Sequence, residues 1–280
     1  MLTCCLRFDV DTITCIETGM PNLLAFAEEY RIPMTFYCNM GRAVSYVALA
    51  RKRFRNAGGH EKAILAKLSP KAKMGNRDYL RTSLLNPVVG SAHGAILQEA
   101  ARHGHELGLH GGRNHGSWHH EAHLWTEERV RTEVAWGLER FDAMGLEKPV
   151  GFASPGWNSP EGLGRILGGL GFGYMADDYG QGDFCETKAT IRCVRTQLTG
   201  EGGVGFFESL AARGLDSGTG EQAMKGAFES AAACDKSVCV YDHPCFAGRE
   251  GLGMLKGFVE HLKRRPVRFA TVRGAMGTDA

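Results

Sequence analysis

Arg7-Phe8-Asp9-Val10-Asp11-Thr12 ends a predicted first strand, Thr3 to Asp9, with two acidic residues at its tip. Side chains at alternate positions of a strand share a face, so Asp9 and Asp11 can both point into one mouth if the strand stays regular to its end. About a hundred residues later, Gly104-His105-Glu106-Leu107-Gly108-Leu109-His110-Gly111-Gly112-Arg113-Asn114-His115 answers them with imidazoles. One carboxylate that ligates a metal and a second left free to take a proton from water are what amide hydrolysis needs. Taken alone, Asp-x-Asp also fits a solvated strand end and His110 a satisfied core histidine. The two clusters together look like a metal site.

Outward from that strand, short β-rich runs alternate with amphipathic helical stretches. Strands are predicted at Thr3 to Asp9, Pro33 to Asn39, Glu106 to His110, Val150 to Ala153, Gly173 to Ala176, Thr190 to Arg195, Ser237 to Asp242 and Val267 to Thr271. Thr126 reads as an N-cap with Glu127 and Glu128 in the first turn, followed by Val130, Val134, Leu138 and Phe141 at helical spacing. Leu252, Leu255, Phe258, Val259 and Leu262 repeat that stripe near the C-terminus. A βαβα alternation with acidic and histidine residues at strand ends predicts an α/β parallel barrel with its active site at the carboxyl face. The 280 residues, 43% of them apolar, are expected to form one domain, 1–280.

No apolar run approaches the roughly 20 residues of a membrane span. The start Met1-Leu2-Thr3-Cys4-Cys5 runs straight into the acidic strand, so no signal peptide and a cytoplasmic location are expected. The nine cysteines contain no Cys-x-x-Cys pair and sit mostly in apolar runs, as small buried hydrophobes would in a reducing compartment. One segment departs from the alternation. Residues 42 to 81 hold eleven Lys or Arg against Glu61 and Asp78, a local charge of +9 that leaves −7 for the rest of a chain whose total is +2. Apolar residues interleave with these charges, the composition of a segment that rests on an anionic membrane or of a solvated helical insertion. The segment matches no nucleic-acid recognition motif, and no nucleic-acid partner is expected.

Several stretches resemble the polysaccharide deacetylase (NodB-type) family, and within it the deformylases that act on formamido-arabinose linked to undecaprenyl phosphate. Arg7-Phe8-Asp9-Val10-Asp11-Thr12 is similar to the first motif of the family, and Met34-Thr35-Phe36-Tyr37-Cys38-Asn39-Met40-Gly41-Arg42 to the second strand and the opening of the deformylase insertion. Gly104 to His110 is like the strand carrying the first metal histidine. Phe152-Ala153-Ser154-Pro155-Gly156-Trp157, Tyr174-Met175-Ala176-Asp177-Asp178 and Val240-Tyr241-Asp242-His243-Pro244 resemble the third, fourth and last motifs, and Val267-Arg268-Phe269-Ala270-Thr271 the closing strand.

The resemblance implies a NodB-type distorted (β/α) barrel of seven or eight parallel strands with a basic insertion at about 42–90. It implies Asp9 as catalytic base, His243 as general acid, and a divalent metal held by Asp11, His110 and a further ligand; zinc is expected first, with cobalt, nickel or manganese as alternatives. Asp177 would orient or tune His243, or serve as an ordinary strand-end cap. Trp157 and Tyr37 would wall the sugar pocket, and Arg42 would contact substrate. Two departures stand out. Four residues after His110 comes Asn114, with His115 beside it; His115 is favoured as the ligand because imidazole is the commoner donor to zinc-like ions. The usual arginine of the third motif is replaced by Ala153, as in the deformylases.

The expected activity is metal-dependent removal of an N-formyl or N-acetyl group from an amino sugar carried on a polyprenyl or other lipid phosphate, at the inner face of the membrane. The alternatives are a barrel that binds a sugar or lipid phosphate with weakened catalysis, and a deacetylase of soluble or polymeric N-acetylglucosamine.

Overall fold

The first strand, β1 (Leu2–Val10), is buried from Thr3 through Val10. Burial on both faces is the mark of a strand inside a parallel sheet covered by helices. The computed structural model describes residues 1–55, 70–188, 191–215 and 219–277. The other strands are β2 (Thr35–Cys38), β3 (Glu106–His110), β4 (Gly151–Ala153), β5 (Tyr174–Tyr179), β6 (Cys185–Lys188), β7 (Ile191–Thr196), β8 (Ser237–Asp242) and β9 (Val267–Ala270).

They lie side by side in the order β6-β7-β5-β4-β3-β2-β1-β8, with β9 also on β1. Every pairing is parallel except β6 with β7. The sheet curls until its ends meet: Leu198, just past β7, accepts from Tyr241 N and donates to Cys239 O on β8, both at 3.0 Å. The result is a mostly parallel, distorted barrel. β2 pairs with the upper half of β1, from Arg7 on, and β9 with its lower half, Leu2 to Cys5. The chain after β9 therefore plugs the base, where Val272 N donates to Thr35 Oγ1 and Arg273 N to Glu106 Oε2.

Expected β3 and β8 coincide with the observed strands, and Thr126 caps the helix Glu127–Ala143 through its Oγ1. The hairpin strand β6 was not expected. Cys185-Glu186-Thr187-Lys188 is a short edge strand with no apolar alternation, so only its pairing with β7 makes it a strand.

The helices Tyr46–Arg55 and Pro70–Leu84 form the described part of the insertion between β2 and β3. Arg81 pairs with Glu17, and Thr14 Oγ1 donates to Asp78 at 3.1 Å, fastening the second helix beside β1. The middle of the basic segment, including Lys62, Ile64, Leu65, Lys67 and Leu68, lies outside the described residues.

Candidate active site

Strand ends deliver the site. β1 brings Asp9 and leads into Asp11, β3 ends on His110, and β8 runs directly into His243. The turn after β3 starts the helix His115–Glu121, which places the His115 ring 5.2 Å from that of His110.

Asp11 Oδ1 lies 3.2 Å from His110 Nε2 and 3.3 Å from His115 Nε2. These contacts are close but incomplete: Asp11 Oδ1 and His115 Nε2 are buried without a hydrogen-bond partner among the described residues. His110 Nδ1 faces Ala153 O at 2.9 Å. A carbonyl can only accept, so Nδ1 carries a hydrogen, and Nε2 is the ring atom turned toward Asp11 and free to serve a metal when deprotonated. Donor atoms of Asp11, His110 and His115 all lie within 4.8 Å of one another. One carboxylate and two imidazoles, converging with unsatisfied buried atoms, suit a divalent cation of the zinc type. Electrostatics agree: burial works to raise the Asp11 carboxyl, but His115, His243 and the contacts to the His110 and His115 rings hold it well below the usual carboxylate range.

A hydrogen-bonded pair flanks each side of this centre. On one, the Arg7 guanidinium, 1% exposed, donates to both oxygens of Asp9 at 3.0 Å. Its remaining reach goes to Ala176 O at 2.6 Å and Thr196 Oγ1 at 3.1 Å. The rings of Trp157, Tyr37 and Tyr241 surround it at 4.5, 4.8 and 5.2 Å from Cζ. Burial alone would lower the Arg7 pKa, but Asp9 raises it, and the cation is retained. On the other side His243 Nδ1 meets Glu208 Oε1 at 2.9 Å, while Nε2 meets the Tyr241 hydroxyl at 2.8 Å and Asp11 Oδ2 at 3.2 Å. Asp242 accepts from Phe207 N at 2.7 Å and Glu208 N at 3.1 Å, so β8 itself holds the helix that carries Glu208. Burial, then the neighbouring Glu208, push the Asp242 carboxyl up to about 7.

The family model for polysaccharide deacetylases matches residues 3–174, more than half of the chain. The chain belongs to the polysaccharide deacetylase family. A probable 4-deoxy-4-formamido-L-arabinose-phosphoundecaprenol deformylase of Shewanella sediminis is 27% identical over 187 residues, which are 64% of this chain and 57% of that protein. The match thus spans little more than half the length of that relative. Two crystal structures share the fold across 99% of this chain: a putative polysaccharide deacetylase of Mycobacterium smegmatis (TM-score 0.64, 16% identity, 90% of that chain) and a probable one of Pseudomonas aeruginosa PAO1 (0.61, 14%, 89%).

Within this deacetylase fold, the residues singled out from sequence divide. Asp9, Asp11, His110, His115 and His243 come together as described. Asn114 does not face the cluster. Its Oδ1 accepts from Ser117 N as the N-cap of the helix that follows, and its Nδ2 donates to Val44 O at 2.8 Å. Asp177 does not touch His243 through any described hydrogen bond, because its oxygens are taken by Ser154 N and Ser159 Oγ; the carboxylate on His243 Nδ1 is Glu208.

Tyr37 is fully buried in the lumen beneath Arg7, its hydroxyl donating to Tyr174 OH at 2.8 Å, and so it lines no open wall. Trp157 is half-buried at the mouth beside Tyr179, its indole N–H held by Gly203 O at 2.8 Å. Arg42 is exposed and its guanidinium donates to Asn86 O, while its backbone bridges Arg113 and His115. Sequence reasoning missed Arg7 and Glu208. Arg7 shares a strand face with Asp9, a signal that was present; Glu208, on the short helix Phe206–Ala212, lies in no recognisable motif.

Proposed function

We propose that this chain is a metal-dependent hydrolase that removes an N-acyl group, formyl or acetyl, from an amino sugar carried on a polyprenyl or other lipid phosphate. The observation that carries the reading is the Asp11–His110–His115 cluster, with Asp11 Oδ1 and His115 Nε2 unsatisfied, set between two hydrogen-bonded pairs, Arg7–Asp9 and Glu208–His243.

Asp11, His110 and His115 hold the metal, zinc first among the candidates; when bound, it polarises the amide carbonyl and lowers the pKa of water. Asp9 takes the proton from the attacking water, its carboxylate fixed by the fork of Arg7 on both oxygens. With Ala153 in the third motif, Arg7 supplies a cation beside the base from within β1 itself. His243 delivers a proton to the leaving amine through Nε2, held in orientation by Glu208 at Nδ1. Trp157 and Tyr179 present aromatic faces at the mouth on which a sugar ring can rest. Asp177, tied to Ser154 and Ser159, shapes the loop that carries Trp157.

Two features support a lipid-linked substrate. The relative from Shewanella is named for a phosphoundecaprenol-linked sugar. In addition, Tyr46, Val47, Leu80, Leu84 and Leu85 are 52–73% exposed on the two insertion helices and their margin, which the Tyr46 hydroxyl links through Ser83 O at 2.7 Å. Exposed apolar side chains within and just after a +9 segment suit peripheral contact with an anionic leaflet, at its inner face. Among the described residues no helix is long and apolar enough to cross a membrane.

The deciding experiment presents metal-loaded protein with formylated and acetylated amino sugars, free and lipid-linked, and identifies products by mass spectrometry; release of no acyl group from any of them sinks the reading. For the membrane part, replacing Arg51, Lys52, Arg53 and Arg55 with Gln should abolish salt-reversible sedimentation with anionic vesicles, since each basic residue there contributes about 1 kcal/mol. Binding that ignores salt, or survives the substitutions, removes that part alone.

A further inference from the structure

Two of the buried cysteines are neighbours beside the site. Cys15 opens the short π-helical turn Cys15–Gly19 that follows Asp11, and Cys245 lies in the helix Pro244–Ala247 that follows His243; both are buried and neither is in a disulfide. The Cys245 thiol is within hydrogen-bonding reach of Cys15 Sγ, and the Thr12 hydroxyl donates to the same sulfur at 3.3 Å.

The two segments are locked together at the level of the backbone. A Cβ on Gly19 would stand 2.0 Å from Pro244 O, and one on Gly248 would stand 2.2 Å from Gly19 O, so neither position admits a side chain. Asn22 Nδ2 adds a hydrogen bond to Gly248 O at 2.8 Å. Packing of this kind keeps the two sulfurs close, as a bond between them requires. Burial and the Asp11 charge push the Cys15 thiol up, but the Cys245 hydrogen bond, the His243 charge and the Thr12 hydroxyl outweigh them and bring the group to about 7. A thiolate is the nucleophilic form.

We propose that Cys15 and Cys245 are a modification site, forming a reversible disulfide when the protein meets a hydroperoxide, and that this bond switches off the adjacent centre. In the first step the Cys15 thiolate attacks a peroxide oxygen; the O–O bond breaks, the sulfur gains a hydroxyl, and the other oxygen leaves as water or alcohol after taking a proton. In the second, the Cys245 sulfur attacks the Cys15 sulfur, the S–O bond breaks, and the hydroxyl leaves as water with the Cys245 proton. The two thiols together lose two electrons and the peroxide gains them. With the backbones already in contact, bond formation turns the Cys245 side chain toward Cys15, and Cys245 is two residues past His243, so the adjustment reaches the imidazole. The loss of activity rests on the hydrolase reading; the bond itself does not.

The test oxidises purified, metal-loaded protein with hydrogen peroxide, alkylates the remaining thiols and maps peptides without reductant. The expected result is a linked peptide joining the segments of Cys15 and Cys245, cleaved by dithiothreitol and absent from Cys15→Ala and Cys245→Ala. A Cys234→Ser variant, lacking the exposed thiol, should give the same link. Turnover of the parent should fall about a hundredfold, the size of a lost proton donor, and return with reductant. Both thiols remaining alkylatable, or Cys15 passing to sulfinic acid without a link, overturns the proposal. A link with unchanged turnover overturns the switch. Reduced parent without any turnover overturns the hydrolase reading and leaves the peptide map to judge the disulfide.

Discussion

Two carboxylates at opposite ends of one barrel show how a structural acid differs from a working one. Glu106, at the base, accepts from Thr35 Oγ1 at 2.9 Å, Arg273 N at 3.0 Å and the Tyr174 hydroxyl at 2.7 Å. Both of its oxygens are satisfied, and its job is to tie the plug after β9 to β2, β3 and β5. Burial raises its pKa while those donors offset part of the rise. Asp11, at the mouth, keeps an oxygen without a hydrogen-bond partner and faces three imidazoles. A buried polar group left unmatched costs about 1–3 kcal/mol, a cost that a fold retains where a ligand completes the set. Burial is shared by the two sites; completeness of hydrogen bonding separates them.

The strongest way to break this contrast is at the mouth. Asp9→Asn is expected to keep the metal and lower turnover by roughly a hundredfold to ten-thousandfold, the range for a lost general base. Asp11→Asn is expected to lose metal and turnover together. Equal metal loss in both, measured by elemental analysis, would refute the division of roles.

Chelation tests the same contrast by stability. A ligand bound at a hundred times its Kd adds about 2.7 kcal/mol to the folded state, so a chelator should lower the melting temperature of the parent and leave that of Asp11→Asn unmoved. If both respond alike, the bound ion lies elsewhere.

At the base, Glu106→Gln turns one of two accepting oxygens into a donor that faces a donor already in place, and should cost about 1–3 kcal/mol in denaturant unfolding. Metal content of the folded protein should not change. Lost metal with unchanged stability would reverse the two roles.

The smallest effect separates the adjacent pair Asn114 and His115. Asn114→Ala removes an N-cap worth about 1 kcal/mol and should spare metal content, whereas His115→Ala should empty the site at little structural cost. The opposite order would make the amide the ligand.

The strand plan was legible because parallel, doubly buried strands read as apolar runs closed by polar tips, as Ser237–Asp242 and Glu106–His110 do. The edge strand Cys185–Lys188 was not, since polar residues at an edge carry no burial signal. Asp9, Asp11, His110 and His243 were legible for a related reason: polar residues at the ends of buried strands stand out against their surroundings. Asp177 admits two readings from sequence, a partner of His243 or a strand-end cap, and the hydrogen bonds of Ser154 and Ser159 decide for the second.

By itself, the sequence determined the barrel, its carboxyl-end site and the residue types gathered there, because periodicity and strand-end chemistry are local properties of the chain. Only the tertiary structure decided which carboxylate faces which base. Arg7 reaches Thr196 across 189 positions and Glu208 reaches His243 across 35, from elements whose neighbours are set by barrel closure rather than by spacing along the chain. Hydrogen bonds are short-ranged and directional, so partnership is settled only once the closed sheet has fixed where each side chain ends.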